Sequence, residues 1–182
     1  MGQHWPKTGP NYAPAYQVSG IPFVTSSLIN EVPGIDLNSA SPEPISVTFP
    51  FVTKYVTVRN IGANELRVGF SKRGMFAPGE RLPSTLGGGQ KGLLTADDHR
   101  NFFLIPSASA TKAQNPDTFG TVVKLDVRCK EIFFMSDAAH NTPASAHATG
   151  FSLIAGLTTI PSSEFPILTA SLDGTSSFEG IG

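Results

Sequence analysis

The clearest pattern in the chain lies in residues 54–71. Val56 and Val58 alternate with Tyr55, Thr57 and Arg59. Ile61-Gly62-Ala63-Asn64 then supplies turn residues, after which Leu66, Val68 and Phe70 alternate with Arg67 and Gly69. A period of two sends alternate side chains to opposite faces of a strand. The segment therefore predicts an antiparallel hairpin with one buried and one polar face. A second alternating run, residues 121–136, sets Val123, Leu125, Val127 and Cys129 against Lys124, Asp126, Arg128 and Lys130, and predicts the longest strand region. Its period fails at Ile132-Phe133-Phe134-Met135, which are contiguous. A bulge near Glu131, or burial of both faces, would account for that failure. Shorter strands are predicted over 20–27, 45–51, 101–106, 149–158 and 165–172 from their β-branched and aromatic residues. Pro22 places the first of these at a sheet edge or at its own start, because proline cannot donate to a ladder. Pro50 breaks or ends the second.

Turn-rich segments separate these runs. Residues 30–44 carry Pro33, Gly34, Pro42 and Pro44. Residues 72–92 carry Gly74, Pro78, Gly79, Pro83 and the run Gly87-Gly88-Gly89, and read as a long mobile loop. Residues 107–120 and 137–148 are further loops. Residues 95–100 fit either one helical turn capped by Thr95 or a plain turn. Neither an internal repeat nor a sustained helical period is visible. The sum is an all-β chain of about eight strands, and eight strands favour a single jelly-roll β-sandwich over residues 21–182. An immunoglobulin-type sandwich usually needs about 100 residues and often a Cys…Trp…Cys pattern, whereas the lone Trp5 lies outside every predicted strand. Residues 1–20 hold Pro6, Pro10 and Pro14 between Trp5, Tyr12 and Tyr16 and read as an extended N-terminal arm. Disordered tails tend to lack aromatics, so this arm is expected to dock. The residues expected to contact another subunit are Trp5, Tyr12, Tyr16, Pro22 and Phe23.

Composition narrows the class. The chain has 182 residues with 18 Gly and 15 Pro. Its charged fraction is 15%, against roughly 25% in a typical soluble domain. Abundant Gly and Pro argue against a helical bundle. A hydrophobic content of 40% and a net charge of −1 argue against disorder. Twelve of the thirteen basic residues lie between Lys54 and Lys130 beside six acids, leaving +6 there, −2 over residues 1–53 and −5 over residues 131–182. No window is dense enough in Lys and Arg to predict a direct nucleic-acid partner. The uncharged stretches 8–30 and 138–163 are broken by Pro and rich in Ser, Thr and Gly, so no membrane span is predicted. One cysteine cannot form an internal disulfide. The start Met1-Gly2-Gln3-His4-Trp5-Pro6 lacks a signal-peptide pattern, and Pro6 occupies the place a myristoylation motif gives to Ser or Thr.

Candidate chemistry is sparse. His140 and His147, the closest histidines, are seven residues apart, and His4 and His99 are isolated. Strand-borne metal ligands sit at i and i+2 so that they share a face, and a catalytic zinc takes three protein ligands, so no metal is expected. Asp97-Asp98-His99 supplies only two local carboxylates where Ca²⁺ takes six to eight oxygens, and reads as a solvated turn. Asp137 near His140 suggests a triad, but no Gly-x-Ser-x-Gly elbow accompanies it. Gly87-Gly88-Gly89-Gln90-Lys91 lacks the Gly-Lys-Ser/Thr of a phosphate loop. Cys129, on an apolar face, reads as a buried inert thiol. No catalytic residue and no cofactor is assigned, and the chain is read as not an enzyme.

Several segments together resemble the single-jelly-roll penton and minor capsid proteins of large icosahedral double-stranded DNA viruses. They are Tyr-Val-Thr-Val-Arg-Asn-Ile-Gly (55–62), Glu-Leu-Arg-Val-Gly-Phe-Ser (65–71), Asn-Phe-Phe-Leu-Ile-Pro (101–106), Lys-Leu-Asp-Val-Arg-Cys-Lys-Glu-Ile-Phe-Phe (124–134), Phe-Ser-Leu-Ile-Ala-Gly-Leu-Thr (151–158) and Tyr-Gln-Val-Ser-Gly-Ile-Pro-Phe-Val-Thr (16–25). The resemblance spans most of the chain and rests on strand pattern and phrasing, not on catalytic residues. It implies a structural virion protein assembled in the host cell cytoplasm. It also implies a ring-shaped homo-oligomer, a pentamer at the fivefold vertices, in contact with neighbouring major and minor capsid proteins. Low charge suits subunit sides, since interface cores are depleted in charge. Residues 1–20 and 137–149 are the segments expected to meet neighbours. The alternative reading is a glycan- or receptor-binding β-sandwich module of a virion or fibre. A cupin-like enzyme is disfavoured by the histidine spacing.

Overall fold

The computed structural model describes residues 21–27, 31–36, 40–77, 80–86, 101–107, 121–140 and 149–165. The predicted arm, the predicted turn at 95–100, the Gly87-Gly88-Gly89 run and the predicted last strand beyond Phe165 lie outside the described residues.

Among the described residues the chain forms ten strands: β1 (Ile21–Ser26), β2 (Ile35–Asp36), β3 (Ile45–Thr48), β4 (Phe51–Asn60), β5 (Leu66–Gly69), β6 (Phe102–Ile105), β7 (Val122–Leu125), β8 (Glu131–Ser136), β9 (Ala139–His140) and β10 (Phe151–Pro161). Only short 3-10 turns stand beside them. Two four-stranded antiparallel sheets result, ordered β1-β10-β4-β7 and β3-β8-β5-β6. The two-residue strands β2 and β9 pair in parallel at one side. If they are set aside, the eight longer strands pair from the outside inward. The first pairs with the eighth (β1·β10), the second with the seventh (β3·β8), the third with the sixth (β4·β7) and the fourth with the fifth (β5·β6).

The main core lies between the sheets. Val56 and Val58 of β4 and Leu153, Ala155 and Leu157 of β10 face Leu66 and Val68 of β5, Ile105 of β6, and Ile132 and Phe134 of β8. Each fully buried large side chain contributes about 1.5–3 kcal/mol relative to exposure. Phe134 and Phe151 stack across the gap with ring centroids 3.9 Å apart and planes 16° apart. Phe23 packs edge-on against Phe49 at 5.2 Å.

Three expectations are corrected. Residues 54–71 alternate as predicted but are not a hairpin. β4 pairs with β10 and β7, whereas β5 pairs with β6 and β8, so the turn at 61–65 carries the chain from one sheet to the other. Alternation reports that one face is buried and is silent about the partner strand. Residues 121–136 are likewise two strands in different sheets, joined by an extended corner at 126–130, and the longest strand is instead β10 with 11 residues. The contiguous apolar run in β8 comes from burial of both faces, and its pairing with β3 and β5 runs without a bulge. Ile132 and Phe134 point into the main core. Phe133 and Met135 point outward under a second cluster formed with Ile35, Met75, Phe76 and Leu82.

The third correction concerns residues 72–92. They read as a long mobile loop, but their described part packs apolar residues against the sheet. The 3-10 turns Arg73–Met75 and Ser84–Leu86 carry Met75, Phe76 and Leu82 onto the outer face of β8. Turn residues there shape a cover, and the apolar residues among them hold it down.

Candidate interaction surfaces

β1 is an edge strand of its sheet, as Pro22 suggested. The Ser27 N–H donates to the Phe151 carbonyl at 3.0 Å, so strand alternation turns the backbones of Phe23 and Thr25 toward β10 and those of Pro22, Val24 and Ser26 toward the open edge. Pro22 thus lies where its missing N–H costs no ladder bond. It also leaves the open edge two donors, Val24 and Ser26, which blunts it against adventitious pairing.

Side chains alternate across the same strand. Phe23 is half-buried on the core side, and its ring is engaged with Phe49. Pro22 and Val24 stand on the outer face. Val24 is 69% exposed and lies opposite Ile154, which is 43% exposed. Val122, 57% exposed, sits on β7 at the far side of this face. Between them run Thr57 and Tyr55, with Lys124 Nζ 5.2 Å from the Tyr55 ring centroid and 3.0 Å from Asp126 Oδ1. An outward, exposed Val–Ile pair is the apolar feature that sequence reasoning missed. Alternation places Val24 on the face opposite Phe23, but only the pairing of β1 with β10 shows that this face is the outer one. Of the other expected contact residues, Trp5, Tyr12 and Tyr16 lie outside the described residues.

Among the described residues, Arg67, Glu80 and Asp137 bring charge together at a largely buried site. Arg67 of β5, read from the sequence as a solvated position, is 3% exposed. Its Nη1 and Nη2 donate to Glu80 Oε2 and Oε1 at 2.6 and 2.7 Å, a two-pronged pair. Its Nε donates to Asp137 Oδ1 at 2.5 Å, and Nη1 also donates to the Met75 carbonyl at 2.8 Å. The guanidinium lies 4.2 Å from the Phe102 ring centroid. Glu80 Oε2 in turn accepts from the Ala77 N–H at 2.6 Å. Every nitrogen of the guanidinium is engaged, so the arrangement is built to hold segments together. It also engages the Asp137 carboxylate that the sequence had suggested pairing with His140.

Cys129 is buried as expected. Burial pushes its thiol up to about 11, partly offset by the hydrogen bond with the Thr53 hydroxyl at 3.3 Å. The described residues contain no group of three potential metal ligands. His4, His99, His147 and the pair Asp97-Asp98 lie outside them. Among the described residues no helix is long and apolar enough to cross a membrane. Comparison with protein-family models, with curated proteins and with solved structures gives no match.

Proposed function

We propose that this chain is a jelly-roll capsid subunit, a penton or minor capsid protein that assembles through the sides of its sandwich and its N-terminal arm. The observation that carries this reading is the outside-in pairing of the eight longer strands. A long antiparallel ribbon rolled into two Greek keys pairs first with last and fourth with fifth, and distributes its strands between two sheets in this order. The sequence resemblance to single-roll vertex proteins points the same way. So does the exposed Val24–Ile154 pair, which offers apolar area to a neighbour. Closing a ring takes a heterologous interface, with two different patches on each subunit. The face carrying Val24 and the contact segments 1–20 and 137–149 are our candidates for those patches. The ring's size, five, comes from the resemblance alone.

The test is native mass measurement on the purified full chain. The expected result is a ring or other defined multimer. A monodisperse monomer at high concentration would overturn the proposal. Deleting residues 1–19 should weaken assembly more than it lowers folding stability, because the main core draws on strands from β1 onward.

A further inference from the structure

We propose that residues 72–77 and 80–86 form a strap that opens as a unit from the outer face of the β3-β8-β5-β6 sheet while the sandwich stays folded, and that Arg67 is its latch. The second apolar cluster, Met75, Phe76 and Leu82 against Phe133, Met135 and Ile35, is separate from the main core between the sheets. The strap can therefore lift without opening that core. Several of its backbone hydrogen bonds are local: Met75 N–H to Lys72, Phe76 to Arg73, Glu80 to Ala77 and Leu86 to Pro83. Such bonds travel with a moving segment. Arg67 ties the strap to the sheet near its centre, and the Thr85 hydroxyl donates to Glu43 Oε1 at its far end. Arg67 donates to Glu80 twice and to the Met75 carbonyl, and its Nε is held from the other side by Asp137, which follows β8. Gly69 adds room for the closed position, because a Cβ there would lie 2.6 Å from Met75 Sδ.

Opening would uncover Phe133, Met135 and Phe102 on the sheet and turn an ionic latch into solvated charges. Segments with their own small cluster and few ties to the main core open at lower free energy than the global transition. The latch raises that free energy, because charge-assisted hydrogen bonds such as those of Arg67 with Glu80 are about twice as strong as neutral ones.

The experiment is hydrogen exchange by mass spectrometry on the full chain, comparing wild type with Glu80→Gln. Glutamine keeps the size of the side chain and removes the charge. Peptides covering 72–86 should exchange roughly tenfold faster or more, and those covering β4 and β10 should be unchanged. Trypsin should then cut after Arg73 or Arg81 before it cuts elsewhere in the described body. Equal acceleration in β4 and β10 would overturn the strap, and no acceleration in 72–86 would overturn the latch. If the variant does not fold, wild-type exchange at rising sub-denaturing urea decides the matter. Amides of the strap should open with a weaker urea dependence than those of β4 and β10, and a single shared dependence would overturn the proposal.

Discussion

Thr149 Oγ1 lies 3.2 Å from Asn60 Oδ1, although the two residues are 89 apart in sequence. Asn60 ends β4, where the chain leaves one sheet for the other, and both residues are fully buried. The Asn60 amide serves the whole corner. Its Oδ1 also accepts from the Gly62 N–H at 2.9 Å, and its Nδ2 faces the carbonyls of Asn64 at 2.8 Å and Ile105 at 3.2 Å. One side chain thus satisfies backbone groups of the corner itself and the end of β6, and bonds the Thr149 hydroxyl before β10.

Replacing Asn60 by Ala strands these buried groups without partners. Each such group costs about 1–3 kcal/mol, so Asn60→Ala should lower the free energy of unfolding by about 3 kcal/mol or more. Asn60→Asp keeps the acceptor for Gly62 but replaces the donor amide with an acceptor oxygen facing carbonyls, and should be no better. Urea denaturation followed by tryptophan-independent circular dichroism would measure both. A loss below about 1 kcal/mol in Asn60→Ala would mean that water takes over the corner.

Gly62 is predicted to be intolerant for a steric reason. A Cβ built there collides with Thr149 Oγ1 and meets the Gly150 nitrogen at 2.7 Å and Thr149 Cα at 2.9 Å. Two of these are backbone atoms of another segment and cannot swing aside. Gly62→Ala should destabilise by about 2 kcal/mol or more, as strained corners and overpacked sites do. Adding Thr149→Ala removes the nearest atom but not the backbone contacts, so it should restore only part of the loss. Full restoration in the double variant would show that the clash is with the hydroxyl alone.

These corners explain what could and could not be read from the residues in order. The inward faces of β4 and β5 were legible, because a period of two is a property of each strand by itself. Pairing was not, since Asn60 and Gly62 look like any polar turn and Lys130 continues an unbroken alternation. Arg67 was misread for a related reason. A charge in an alternating strand normally marks the solvated face, and its burial depends on Glu80 and on the cover made by Met75, Phe76 and Leu82. The contiguous run 132–135 did require a cover on both faces, but only the fold reveals that Met75, Phe76 and Leu82 supply part of it. The candidate surface followed the same logic. Val24 is one more apolar residue in an apolar strand until β10 fixes which way it faces.

Cys129 gives the chain a pH dependence of known sign. Its ordinary value of 9.0 is raised to about 11 in the fold. Below pH 9 the thiol is protonated in both states and contributes nothing to the pH slope. Between about pH 9 and 11 the unfolded chain releases the proton and the folded chain keeps it, so stability falls as pH rises, by about 2–3 kcal/mol in all. Comparing wild type with Cys129→Ala isolates this contribution. The difference in unfolding free energy should shrink as pH rises from 8 to 11. At pH 8 a thiol reagent should modify the folded protein only as fast as the site opens, and the rate should climb with urea. Rapid labelling in the absence of denaturant would show that the thiol is reachable in the closed sandwich.

Val24 and Ile154 test the functional reading separately from the fold. Both project from the outer face of the sheet, and Val24 is the more exposed, at 69%. A lysine at Val24 loses little burial and faces solvent in the isolated subunit, so Val24→Lys should change the free energy of unfolding by no more than about 0.5 kcal/mol. In a multimer that covers this face the same change buries an unpaired charge, which costs several kcal/mol, and the multimer should dissociate at micromolar concentrations where wild type holds. Val122→Lys, on β7 two strands away from Ile154, is the comparison, because that side chain is also exposed but lies at the opposite edge. Sedimentation velocity across a dilution series reads both variants. Dissociation by Val24→Lys alone would place the contact at the β1 side of the sheet. An unchanged multimer in both variants would move it off this face altogether and leave the arm and residues 137–149 to carry assembly.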